Sequence, residues 1–136
     1  MIHLLDTNII SELARPRPDP AVLQWAEGIS RIALSVVTLE ELSYGLSWRP
    51  NARIQVWLDG FLEYYCDLLP VGPEIARLAG ELRGQLQGRG IVRTQADMLI
   101  AATAAVHGLT LVTRNEKDFF DCGVALLNPF GGKTDL

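Results

Sequence analysis

Four stretches of the chain set acids beside an apolar run: HLLDTN at Asp6, LSVVTLEEL at Glu40 and Glu41, RTQADMLI at Asp97, which enters an apolar helix, and LVTRNEKDF, where Asn115 precedes Glu116 and Asp118. Gathered at one end of a parallel sheet, carboxylates repel by about 3 kcal/mol per pair at roughly 5 Å and an effective dielectric of about 20. Such a cluster must bind protons or cations. The chain has only two histidines and two cysteines, so the ligands would all be oxygen, which suits Mg²⁺ or Mn²⁺ over zinc. Mg²⁺ held by a few carboxylates and several waters engages phosphate oxygens. The chemistry this points to is phosphodiester hydrolysis by an activated water.

Each acid also has a local explanation. Asp is a favoured N-cap residue, which suits Asp6. Thr38 with Glu41, Thr94 with Asp97 and Thr113 with Glu116 all have capping-box spacing. Acids in a first helical turn are further favoured by the macrodipole. Asp97 fits this account least. Its helix continues MLIAATAAV with almost no polar side chain, and a carboxylate opening a largely buried helix is costly unless paired or metal-bound. Ala101 and Ala104 share its stripe and are small enough to leave room for an ion or substrate.

The elements that must position these residues alternate between short apolar runs and helical periods. Strands are expected at Ile2–Leu5, Ile32–Val37, Leu68–Val71, Thr110–Thr113 and Val124–Leu127. Helices follow the first strand through Ile9, Ile10 and Leu13, then cover 21–27, 38–46, 51–66, 73–86 and 95–107, with Pro73 at a favoured first-turn position. The prolines of RPRPDP stop the first helix, Gly88 and Gly90 break the fifth, and Gly108 closes the last. Strands alternating with helices predict a three-layer α/β domain with a mainly parallel central sheet. The 136 residues, 49% of them hydrophobic, suit one domain, with 131–136 (GGKTDL) as a flexible tail.

Twelve basic and 16 acidic side chains leave a formal charge of −4, so a polyanionic substrate would depend on bound ions and local arginines for its positive field. Cys66 and Cys122 are too few for a disulfide framework, and the amino terminus lacks a basic leader. No apolar run is long enough to span a membrane. A soluble cytoplasmic protein is expected.

The motifs LLDTNIISEL, LSVVTLEELSYG, ADMLIAATA and LVTRNEKDF, with NPF near the end, together resemble the PIN-domain ribonucleases. More closely, they resemble the VapC/FitB-type toxins of bacterial toxin–antitoxin pairs. The resemblance covers nearly the whole chain. It implies an α/β/α PIN-like nuclease domain over 1–130 and a Mg²⁺- or Mn²⁺-dependent endoribonuclease acting on structured RNA such as tRNA, rRNA or mRNA. A homodimer inhibited by a cognate antitoxin is also implied, as is a larger toxin–antitoxin complex that binds operator DNA through the antitoxin. By motif, Asp6 and Asp97 are the core metal ligands and Glu41, in the EL.YG register, is the third acid. Asn8 supports Asp6, and Thr113 supplies a hydroxyl bordering the site. The family's fourth acid often stands where this chain has Asn115, so a second metal would be held less tightly unless Asp118 takes over. Arg114, inside the last motif, is the best phosphate contact, while Arg15, Arg17, Arg49, Arg53, Arg89 and Arg93 read as surface residues. The Trp57–Phe61–Tyr65 stripe has core spacing. The family pattern suggests that this helix and the preceding one, with Trp48, grip an antitoxin segment that inserts an Arg or Lys among the carboxylates.

Two other readings use the same residues. Dehalogenase-type phosphatases and receiver modules also place an Asp after the first strand, but the phosphatases' second Asp is Asn8 here, and the receivers' late Lys is met only loosely by Lys117 while their acidic pair before the first strand's end is absent. A catalytically weak regulatory partner that dimerises an antitoxin on operator DNA is the other. Asn115 keeps it open, while Asp6, Glu41 and Asp97 argue against it.

Overall fold

The computed structural model describes residues 2–131; Met1 and the remainder of the expected tail, 132–136, lie outside the described residues. Five parallel strands, β1 (His3–Leu5), β2 (Ile32–Ser35), β3 (Cys66–Leu69), β4 (Thr110–Val112) and β5 (Leu126–Leu127), form one sheet in the order β3-β2-β1-β4-β5. Between them run α1 (Thr7–Leu13), α2 (Pro20–Glu27), α3 (Val36–Trp48), α4 (Ala52–Tyr65), α5 (Pro73–Gly88) and α6 (Gln95–His107). This is the expected helix-flanked parallel sheet. No helix among the described residues is long and apolar enough to cross a membrane.

The period-two alternation of strand side chains divides the core. Leu4, Ala33 and Leu111 pack on one side with α5, α6 and Phe119. Leu5, Ile32, Leu34 and Val112 pack on the other with α1, Val22 of α2 and Leu58 of α4. Trp57 and Phe61 stack at 4.8 Å beside that second core, as their spacing implied, whereas Trp48 and Tyr65 are exposed. Ala101 and Ala104 are fully buried in the first core. They bring α6 into close packing rather than leave space for a ligand.

Several boundaries differ from expectation. Val36 and Val37, strand formers by type, open α3 instead, because the Ser35 Oγ accepts the Val37 N–H at 3.0 Å and caps the helix. Thr38 is therefore a buried residue inside α3, and it makes no capping box with Glu41. β3 begins at Cys66, two residues early, where Arg31 reaches across to the Asp67 carboxylate and the Cys66 carbonyl. β4 and β5 are shorter than expected, and Thr113 lies just beyond β4. α5 continues through Gly88, and the chain turns at Gly90, whose φ of +80° suits glycine. α6 matches its expected span: Thr94 caps it, and Gly108, at φ +64°, closes it.

Candidate active site

Asp6 is the first residue past β1 and Thr113 the first past β4, and Leu5 lies opposite Val112 in the sheet. The chain builds outward from β1 through β2 and β3 on one side, then returns to place β4 on the other. The carboxyl end of such a switch point is where open α/β sheets bind ligands.

Asp6 is 5% exposed and accepts three hydrogen bonds. Oδ1 receives the Thr7 N–H at 2.8 Å; Oδ2 receives the Thr113 hydroxyl at 2.8 Å and the Asn8 amide at 3.1 Å. Capping is thus one of its duties. Burial nevertheless holds its carboxyl above the ordinary range, with Glu41 adding to the effect and the three hydrogen bonds opposing it. Asn8 works in both directions, since its Oδ1 accepts the Arg114 backbone N–H at 3.1 Å. The expected Thr113–Glu116 capping box is absent. Thr113 Oγ1 instead accepts the Asn115 N–H at 3.0 Å while donating to Asp6.

Glu41 comes from the second turn of α3 and accepts the Thr7 hydroxyl, and Thr7 Oγ1 also lies 3.2 Å from that of Thr38. Its neighbour Glu40 is exposed, so the structure selects Glu41. Asp97, in the first turn of α6, is pushed up to about 6, first by burial and then by Asp6, with smaller contributions from Asp118 and Glu41. Four acids from four segments therefore share one field, which a set of independent helix caps would not require. Asp6, Glu41, Asp97 and Asn115 line one open pocket of about 470 Å³ with Arg114. Asn115, not Asp118, lines that pocket; Asp118 ends the short 3₁₀ turn Glu116–Asp118 within electrostatic reach of Asp97. That turn is tied down by Arg93, whose Nη2 donates to the Lys117 carbonyl at 3.1 Å.

The donor set suits a hard divalent ion, because carboxylates and amides face the pocket without sulfur or imidazole. Among the described residues no three acidic, histidine or cysteine side chains stand close enough together to hold an ion by themselves. An ion retaining much of its water while touching one or two carboxylates fits such a layout, and Mg²⁺ favours it.

Thr7, Ser11, Glu12 and Arg15 also line the pocket and were missed by sequence reasoning. Their signal was available: they recur at helical spacing opposite buried Ile9, Ile10 and Leu13. Glu12 is itself 6% exposed and is satisfied by Arg15 and by the Asp19 N–H.

Comparison with known proteins bears on the fold and the family. Residues 3–123 match the PIN domain. The chain is 36% identical to VapC ribonuclease Y4jK of Sinorhizobium fredii, across 93% of this chain and 96% of that one. It is 34% identical to toxin FitB of Neisseria gonorrhoeae, across 93% and 97%. Among solved structures, VapBC2 from Rickettsia felis, bound to a DNA fragment from its promoter, superposes with a TM-score of 0.83 at 32% identity, covering 94% of this chain and 98% of that one. With a PIN-domain match over most of its length and full-length relatives at 34–36% identity, the chain belongs to the PIN-domain family, among its VapC- and FitB-like members.

Proposed function

We propose that this protein is a Mg²⁺- or Mn²⁺-dependent endoribonuclease toxin that hydrolyses phosphodiester bonds in structured RNA and is restrained by a cognate antitoxin. The observation that carries the reading is the convergence of Asp6, Glu41 and Asp97 on one pocket at the sheet's switch point. These acids would hold the ion, one or two of them directly and the rest through its water, and when bound it supplies charge stabilisation at a phosphoryl oxygen and acidifies water. Asn8 and Thr113 fix the Asp6 carboxylate, and Thr7 fixes Glu41. Asn115 brings no charge to the pocket, so a second ion would rely on the nearby charge of Asp118 and bind more weakly.

The relatives named toxin and ribonuclease, and the DNA-bound VapBC2 neighbour, support an antitoxin partner and operator binding through it. On this reading the protein works in the cytoplasm as a homodimer. Beside the acidic pocket, an apolar groove lined by Leu42, Leu46, Ile54, Trp57 and Leu58 suits an inhibitor helix, from which an Arg or Lys would enter among the carboxylates.

The test is cleavage of total tRNA and rRNA by antitoxin-free protein in Mg²⁺, Mn²⁺ or EDTA, beside Asp6→Asn and Asp97→Asn. Metal-dependent cutting lost in both variants supports the reading. A folded wild type that binds metal and cuts neither pool favours the regulatory partner.

A further inference from the structure

The arginines of this acidic protein are not all scattered solvating charges. Arg53 donates to the Ala14 carbonyl, Arg93 to that of Lys117, and Arg31 pairs with Asp67. Arg15, Arg17 and Arg114 instead face a second groove, with Phe130, that adjoins the acidic pocket and shares Glu12, Arg15 and Arg114 with it. Against these three cations stand two carboxylates: Glu12 holds Arg15 at 3.1 Å and the Asp19 N–H at 2.7 Å, and Asp19 Oδ1 caps α2 through the Ala21 N–H at 2.8 Å. Among the described residues, Arg17 and Arg114 have no carboxylate partner.

Arg114 is also held in place. Its N–H donates to Asn8, its carbonyl accepts the Asn128 amide at 3.3 Å, and its guanidinium lies 4.5 Å over the Phe130 ring. Asn8 thereby couples Arg114 to Asp6. The groove on the opposite side of the pocket offers apolar side chains and a single cation, Arg49.

We propose that the groove formed by Arg15, Arg17 and Arg114 binds the RNA phosphodiester next to the bond that is cut, so that the substrate strand is gripped on one side of the site only. The inference rests on the nuclease reading and adds a direction to it. Guanidinium forks match phosphate oxygens, and such contacts position a strand without reading its sequence.

The test measures binding of total tRNA in EDTA across a salt series for wild type, Arg17→Gln, Arg114→Gln and the double variant, with Arg77→Gln on distant α5 as the charge control. Cleavage in Mn²⁺ and binding of the purified antitoxin are measured in parallel. Each groove variant should lower the slope of log affinity against log salt by roughly 0.7 to 0.9, and the double variant by about twice that. Arg17→Gln should raise KM while sparing kcat. If wild type cuts but both groove variants keep the Arg77→Gln slope, the groove proposal falls and the nuclease stands. If wild type cuts nothing while the groove slopes still drop, RNA binding in the groove is upheld and the nuclease reading falls. Weakened antitoxin binding with an unchanged tRNA slope assigns the groove to a protein partner and overturns the proposal.

Discussion

Asp6 is buried and accepts three hydrogen bonds from residues on both sides of the β1–β4 crevice, whereas Asn115 and Asp118, in the segment that leaves β4, flank a single 3₁₀ turn. That turn is anchored by buried Phe119 and by the Arg93–Lys117 hydrogen bond, and its two acids, Glu116 and Asp118, are partly exposed. The first arrangement fixes one carboxylate before any ligand arrives, accepting its desolvation. The second leaves its charge partly hydrated. A divalent ion and a phosphate would thus meet one desolvated, rigid wall and one partly hydrated wall.

The comparison is tested most severely at the buried acids. Asp6→Asn and Asp97→Asn should each lower RNA cleavage by well over the roughly 100-fold typical of losing a supporting group. Equal, mild losses at Asp6 and Asp118 would erase the distinction between the two walls. Next comes support for the rigid wall: Thr113→Val, which removes the hydroxyl donor to Asp6, should cost about 10- to 100-fold in metal affinity or activity, read by Mn²⁺ titration of cleavage. The partly hydrated wall should respond less. Asp118→Asn is expected to cost about two- to tenfold, since a partly hydrated charge interacts weakly. Asn115→Asp should tighten Mn²⁺ binding, and a weaker Mn²⁺ midpoint would refute that.

The smallest effect is on stability without metal. The folded-state value of Asp97, about 6, lies above its ordinary 3.8. The stability it contributes is therefore complete below about pH 3.8 and lost as pH rises through about 6. Thermal melts in EDTA should show Tm falling over that window, a flatter profile for Asp97→Asn, and recovery on adding Mn²⁺ at pH 7. A wild-type Tm that rises from pH 4 to 7 to the same extent as that of Asp97→Asn would show that the carboxyl is not strained by its surroundings.

Asp6 and Asp97 were legible as candidates because Asp6 ends an apolar strand and Asp97 opens a nearly all-apolar helix, although each also had a capping explanation. The alternation of strands and helices was equally plain, since period-two and helical patterns differ over most of the chain. The start of α3 was not, because Val36 and Val37 favour strands in isolation and the Ser35 cap is visible only where β2 stops pairing with β3. Small size at Ala101 and Ala104 does not distinguish a space left open from a helix packed close. Thr7, Ser11 and Arg15 were overlooked because short polar faces look like solvent faces until the opposite wall is known. Nothing in local pattern sets the order β3-β2-β1-β4-β5, which depends on contacts far apart in the chain.

Thr113 and Asp6 are 107 residues apart, and β1 gains its β4 neighbour only when most of the chain exists. Closing so long a loop is entropically late in folding, and it comes late in synthesis as well. A chain truncated before β4 has the acids of its first three motifs but no floor to set them on. The pocket therefore cannot form piecemeal: its two halves are joined only when β1 and β4 pair.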